Sequence, residues 1–319
     1  MVAETKKIVY GENLFSLQEY YQFLINKWSN IPHIAFPEFC LNQSAEDNID
    51  NNNNDTFIFY DWESGRLKLS YLDKIREKKS RELKRKKITD RKSYYIDLVS
   101  SIKYWTKTLK NPSRTDPFYR AFHIKQDLKN MNIKDYWLID ATCGAAEDSI
   151  RLLTYGYTVW AFERSPLIWI LLEDSIRTAR LELSESSSEE IKLLDRFVLL
   201  PGDCRLFLES LGVTKKLPDV VYLDPMYNSS SNSIVVERKA SPNKNMQVFN
   251  ILLEKSEEES EKESEKESEE ISLFDISYMV ATDKVVVKRG KHIKKINEKR
   301  SSFSYVGKST RFDVYKKIV

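Results

Sequence analysis

The chain has 319 residues, with 51 lysines and arginines against 48 acids and a net charge of +3, enough for one large domain with a smaller appendage. No run of about eighteen apolar residues occurs, and Met1 to Tyr10 lacks the apolar stretch of a secretory signal, which predicts a soluble, cytoplasmic protein without membrane association. Cys40, Cys143 and Cys204, like His33, His123 and His292, are scattered without disulfide or metal-ligand spacing, so neither a structural metal nor an obligatory disulfide is expected.

Within the first 92 residues, helical spacing of Tyr20, Tyr21, Phe23, Leu24 and Trp28 predicts a helix over Ser16 to Trp28. An Asn/Asp-rich loop over Ser44 to Asp55 follows. Thr56 to Tyr60 and Arg66 to Tyr71 read as a hairpin across Glu63-Ser64-Gly65, giving a small N-terminal α/β subdomain over 1–92 with polar and basic insertions. Residues 93–130 read as a helical bridge. Ile96, Val99, Ile102 and Trp105 place one helix over Ser93 to Leu109, ended by Asn111-Pro112-Ser113, and Pro117 opens a second over Asp116 to Leu128.

From Tyr136 strands alternate with helices, the pattern of a mostly parallel sheet in a domain over 131–319. Five strands are expected in order, Trp137 to Asp140, Thr158 to Glu163, Phe197 to Leu200, Val220 to Leu223 and Lys284 to Lys288. An antiparallel terminal hairpin, Ser302 to Val306 and Arg311 to Lys317, closes the sheet across Gly307-Lys308-Ser309. Between the fourth and fifth strands, 254–270 is low in complexity, with ten acids against three bases, and reads as an acidic surface loop or frayed helix extension without chemistry of its own. The remaining chain therefore carries +10, concentrated in Arg76 to Lys92 and Lys284 to Lys317. Two basic blocks around a candidate site favour a phosphate-bearing partner.

The chemistry concentrates where strands end. Val220-Val221-Tyr222-Leu223 is a buried run that stops at Asp224-Pro225-Met226-Tyr227. Pro225 cannot donate to a sheet ladder and turns the chain, so Asp224 and Tyr227 are expected to project from the strand's carboxyl end, where ligands bind in open α/β sheets. A proline-aromatic turn suits methylation of a planar amino group, with backbone carbonyls to accept the amine hydrogens and a ring to stack on the base. Asp140-Ala141-Thr142-Cys143-Gly144-Ala145-Ala146-Glu147-Asp148 reads as a strand end, a loop of small residues and a helix start, allowing a ligand close to the backbone. Glu163, twenty-three positions beyond Asp140, stands where an acid bonds ribose hydroxyls. Ser165-Pro166 opens a helix over Leu167 to Leu183. Asp203, in Pro201-Gly202-Asp203-Cys204, is placed either to bond an adenine amino group or to cap the next helix.

Leu138 to Glu163, the Asp224 to Tyr227 motif, Val285-Val286-Val287-Lys288-Arg289 and Arg311-Phe312-Asp313-Val314-Tyr315 together resemble the bacterial 16S rRNA guanine-N2 methyltransferases of the RsmJ type. The resemblance extends more weakly through Gly65 to Leu69 and Tyr95 to Val99. It implies a class I, Rossmann-like S-adenosyl-L-methionine-dependent fold acting on a guanine near the 3′ end of 16S rRNA, alone or in the small ribosomal subunit. It further implies cofactor contacts at Glu147, Asp148, Glu163, Arg164, Asp203, Cys204 and Asp224, to which the loop reading adds Asp140 and Gly144. This chain departs from the family by having Ala146 where a glycine, and Glu147 where an arginine, is usual.

The expected mechanism flips the guanine out, stacks it on Tyr227, and holds its N2 hydrogens on the Asp224 carboxylate and the Pro225 carbonyl. Lys288 and Arg289 are expected to contact RNA phosphates. Two alternatives stay open at this point. One is methylation of a DNA adenine or protein glutamine amino group by the same turn. The other is a non-catalytic RNA-binding or ribosome-assembly protein on a methyltransferase fold, suggested by the altered first loop.

Overall fold

Strands with apolar side chains on both faces need cover on both sides, and such strands form the centre of this protein. A computed structural model describes residues 8–10, 13–15, 56–61, 64–73, 90–109, 113–122, 136–184, 188–211, 216–225 and 262–317. β1 (Ile8–Tyr10) and β2 (Asn13–Phe15) pair antiparallel, and β3 (Thr56–Asp61), β4 (Arg66–Asp73) and β5 (Asp90–Tyr94) make a three-stranded antiparallel sheet. Next come α1 (Leu98–Leu109) and α2 (Pro117–Phe122). The main unit then runs β6 (Trp137–Asp140), α3 (Glu147–Thr154), β7 (Thr158–Glu163), α4 (Pro166–Ser184), α5 (Ser188–Leu194), β8 (Phe197–Pro201), α6 (Cys204–Leu211) and β9 (Val220–Leu223). It ends with α7 (Lys262–Val280), β10 (Lys284–Gly290), β11 (Phe303–Val306) and β12 (Thr310–Lys316).

The last seven strands lie in the order β11-β12-β10-β9-β6-β7-β8. β8, β7, β6, β9 and β10 run parallel, while β12 is antiparallel to both β10 and β11. This is the mostly parallel sheet with an antiparallel terminal hairpin that the strand pattern predicts. The chain winds outward from β6 to β8 and returns on the other side at β9, so the strand order reverses between β6 and β9. That reversal is the topological switch point where open sheets bind ligands.

Side chains alternate strictly between two cores. Leu138, Val159, Leu199, Tyr222 and Val286 face the side covered by α1, α3 and α4. Ile139, Phe162, Leu200, Val221 and Val287 face the side covered by α6 and α7. Alternation at period two sorts the polar residues that follow as well. Asp140 stands two beyond Leu138, Asp224 two beyond Tyr222 and Lys288 two beyond Val286, which puts all three on the face covered by α3.

Several expectations are corrected. Ser93 and Tyr94 are the end of β5 and not the start of the helix. The following helix starts only at Leu98, with Asp97 Oδ1 accepting from Ser100 N (3.1 Å) as its cap. The helix placed over Asp116 to Leu128 is formed at Pro117–Phe122, capped by Asp116, whose Oδ1 accepts from Phe118 N at 3.0 Å; residues 123–128 lie outside the described residues, as does Ser16 to Trp28. The acidic tract is helical from Lys262. Its last two acids form ion pairs, Glu269 with Arg164 (3.6 Å) and Arg205 (3.7 Å), and the buried Glu270 with Arg289. No described helix is long and apolar enough to cross a membrane.

Candidate active site at the carboxyl edge of the sheet

β6 ends in Asp140, whose side chain is fully covered. Its Oδ1 accepts from Thr142 N (3.2 Å) and its Oδ2 from Ser149 Oγ (2.5 Å), so this carboxylate pins the loop between β6 and α3. The loop makes two left-handed turns, at Gly144 (φ 55°) and Ala146 (φ 61°). Gly144 takes that conformation without steric cost. Ala146 does so at a cost of roughly 1–2 kcal/mol, set against complete burial of its methyl group in the core.

Glu163 ends β7 with a buried carboxylate. Gly144 N donates to its Oε2 (2.8 Å) and Ser165 N to its Oε1 (2.7 Å). The expected ribose-binding acid is therefore tied to the first loop, with further acceptor capacity on each oxygen. Burial raises both Asp140 and Glu163 to about 7, against the lowering effect of these hydrogen bonds. Ser165 caps α4, its Oγ accepting from Ile168 N at 3.5 Å, and Pro166 is the first helical residue, as the sequence predicts.

Asp203 caps α6. Its Oδ1 accepts from Arg205 N (2.9 Å) and its Oδ2 from Arg205 Nε (2.9 Å) and Nη2. These bonds lower its pKa, outweighing the larger opposing effect of burial. Cys204 opens α6 as a buried thiol, pushed well above its usual value by burial. Arg164 is exposed and pairs only loosely with Glu269.

The Asp224 turn meets the first loop directly, because Asp224 N donates to Thr142 Oγ1 at 2.6 Å. Lys288 Nζ lies 2.8 Å from Asp224 Oδ2 and 2.8 Å from Asp148 Oδ2, and the Tyr222 hydroxyl donates to the same Asp148 oxygen at 2.6 Å. Burial is the main influence raising Asp224, reinforced by Asp148 and opposed by Lys288. For Lys288 burial acts downward, but the two carboxylates outweigh it and hold the ammonium above its usual range.

Lys288, expected to contact RNA phosphate, bridges Asp148 and Asp224 inside the site. Arg289 is turned inward as well, donating to Glu270 and to the Lys294 carbonyl (2.8 Å). Glu147, at the usual arginine position, faces α1. Its carboxylate accepts from Ser101 Oγ (3.1 Å) and Trp105 Nε1 (3.0 Å). Tyr227 lies outside the described residues. Thr142, Ser149 and Tyr222 went unnoticed in the sequence. Tyr222 was detectable from its spacing, two residues before Asp224 on the same face.

Asp140, Asp148, Glu163 and Asp224 thus gather around the switch point, and among the described residues Lys288 is the cation bonded between Asp148 and Asp224. A net negative cluster of side chains, beside left-handed backbone at Gly144 and Gly202 (φ 102°), suits a ligand that carries a sulfonium, an ammonium and a ribose. Among the described residues no group of His, Cys, Asp and Glu is arranged to hold a metal ion.

A protein named ribosomal RNA small subunit methyltransferase J from Saccharophagus degradans is 34% identical over 183 residues, 56% of this chain and 62% of that relative. One of the same name from Thioalkalivibrio sulfidiphilus is 31% identical over 202 residues, 63% of this chain and 68% of its own. The chain spans less than two thirds of the length of the first of these. A crystal structure of a SAM-dependent methyltransferase from Neisseria gonorrhoeae aligns over 79% of both chains at 26% identity, with a TM-score of 0.48. The family model described as "Putative SAM-dependent methyltransferase" matches residues 67–317, a span that holds every strand of the main sheet and every described residue of the site, and the chain belongs to that family.

Proposed function

We propose that this protein methylates an exocyclic amino group of small-subunit ribosomal RNA, the N2 of a guanine near the 3′ end of 16S rRNA. The observation that carries this reading is the Asp224–Pro225 turn, which leaves β9 at the switch point with its carboxylate one third exposed and its backbone fastened to the first loop. The acceptor class follows the printed name of the relatives. S-adenosyl-L-methionine, when bound, supplies an electrophilic methyl group on a sulfonium centre.

The chain's own residues divide the remaining work. Glu163 has acceptor capacity for ribose hydroxyls, and Asp203 Oδ1, which accepts one N–H, has room for an adenine amino group. The Cys204 N–H, at a helix start, has no intrahelical partner and is suited to a ring nitrogen. Asp140 holds the loop that carries Gly144 and Asp148. Asp224 and the Pro225 carbonyl accept the two amine hydrogens, which turns the N2 lone pair out of conjugation with the ring, and positioning of this kind supplies most of the rate. The guanine must leave its stack to reach the turn, and Tyr227 is proposed as the ring that receives it.

Radiolabelled methyl transfer to naked 16S rRNA, assembled small subunits, DNA and protein tests this directly. Label at guanine N2 in RNA is expected. Replacing Tyr227 by alanine should slow transfer by about 5- to 150-fold, the equivalent of the 1–3 kcal/mol of one stacked base, while cofactor binding persists. Label confined to DNA or protein, or tight RNA binding without any transfer, would overturn the proposal.

A further inference from the structure

We propose that Lys288 is a positioning residue for methyl transfer, its ammonium holding the Asp224 carboxylate ionised and fixed toward the acceptor amine. The proposal rests on the role given to Asp224 above and adds a residue that acts through it.

Register explains why these two groups meet. β10 runs parallel to β9 with Val286 opposite Tyr222, and two residues further along each strand the same face carries Lys288 and Asp224. The lysine stem follows the sheet edge over a core containing Val286 and Tyr222, and its ammonium stops 2.8 Å from Asp224. Asp148 holds it from the opposite side at 2.8 Å, and is itself fixed by the Tyr222 hydroxyl at 2.6 Å. The four groups form one hydrogen-bonded chain, from Tyr222 through Asp148 and Lys288 to Asp224.

The electrostatics around Asp224 give this chain a purpose. Asp148 faces it from α3, Asp140 lies within electrostatic reach on β6, Tyr222 precedes it on its own strand, and among the described residues Lys288 alone brings positive charge. Three carboxylates at one sheet edge repel, and burial adds to the cost of ionising them. A protonated Asp224 would present an O–H to the amine and lose an acceptor. Lys288 is the group that prevents this. A lysine engaged on RNA phosphate would have to abandon both carboxylates at once, so the phosphate role is less consistent with the geometry.

The test uses the full chain with Lys288→Met, Lys288→Gln and Lys288→Arg, each checked for wild-type cofactor binding. Carboxyl ¹³C NMR, with the Asp224 signal assigned through Asp224→Asn, reads the titration of that group whether or not the protein is active. Its midpoint should move to higher pH in the Met and Gln variants and stay near wild type in the Arg variant. In methyl transfer the acidic limb of the kcat profile should move the same way, with kcat at neutral pH falling on the order of 100-fold, little change in KM for RNA, and substantial rescue by arginine. An unmoved Asp224 midpoint in both neutral variants overturns the proposal. So does a higher KM with unchanged kcat, which would return Lys288 to phosphate binding. If wild-type protein transfers no methyl group to RNA, the reading of Asp224 as a transfer residue fails, while the titration still decides whether Lys288 controls its charge.

Discussion

Asp140 is the most deeply buried acid of the site, and its role follows from the two groups that donate to it, Thr142 N and Ser149 Oγ. Burial raises it from 3.8 to about 7, so the folded protein binds its proton more tightly than the unfolded chain does. Stability from this group is fully present below about pH 4 and is lost as pH rises toward 7, at about 1.4 kcal/mol per pH unit in that window. Asp140→Asn removes the titration but keeps both bonds, since the amide oxygen accepts from Thr142 N and the amide N–H can donate to the Ser149 hydroxyl. Urea unfolding from pH 4 to 8 should therefore show the wild type losing stability relative to Asp140→Asn as pH rises to about 7, and level thereafter. Parallel curves would mean that Asp140 is not buried as described. At this scale much of the site was legible, because strand-end acids at Asp140, Glu163, Asp203 and Asp224 can be read from where apolar runs stop. Their partners could not be read. Glu147 looks like a lost ligand contact until Ser101 and Trp105, more than forty residues earlier, are brought beside it by the packing of α1.

α4 joins the two sheets. Buried Asp174 accepts from Leu67 N (2.7 Å) on β4 and from Arg177 Nε (3.0 Å), and Arg177 Nη2 donates to the Gly65 carbonyl at 2.6 Å in the β3–β4 turn. Both side chains are almost fully covered, at 3% and 4% exposure, so each needs the other. Asp174→Ala would leave an uncompensated guanidinium and an orphaned backbone N–H, and it should cost about 3–5 kcal/mol. Asp174→Asn, which retains one acceptor, should cost less. Denaturant titration checks both, and a loss below about 1 kcal/mol in the alanine variant would show that water reaches this pair. Elements with both faces buried, β6, β7 and β9, were legible to the residue from their apolar runs. β5 was not, because Asp90-Arg91-Lys92 belongs to a run of charges and becomes a strand through pairing with Leu72 and Asp73 of β4. The helical part of the acidic tract was legible only as one of two readings, a surface loop or a frayed helix extension, because low complexity carries no apolar period to decide between them.

The net charge is +3, and among the described residues charge is distributed with a clear polarity. The candidate site is acidic, while the connection from β10 to β11 is basic and leaves the same edge of the sheet, because β9 and β10 are parallel. It carries Lys291, Lys294, Lys295, Lys299 and Arg300 against one acid, Glu298. Lys294 and Lys299 are exposed, whereas Lys288 and Arg289, just upstream, are held by internal carboxylates. A cationic cofactor and a polyanionic acceptor have, on the proposed function, separate surfaces at one edge. On the proposed function, RNA phosphates meet the 291–300 segment while the flipped base reaches the Asp224 turn. Each phosphate contact to a single strand contributes about 0.7 to the slope of log affinity against log salt. Lys294→Ala together with Lys299→Ala should therefore reduce that slope by about 1.4 and raise KM for RNA at fixed salt, with cofactor affinity and kcat at saturating RNA unchanged. Filter binding across a salt series, beside steady-state kinetics, measures both effects. A slope equal to that of the wild type would remove this segment from the interface and place the phosphate contacts elsewhere on the chain.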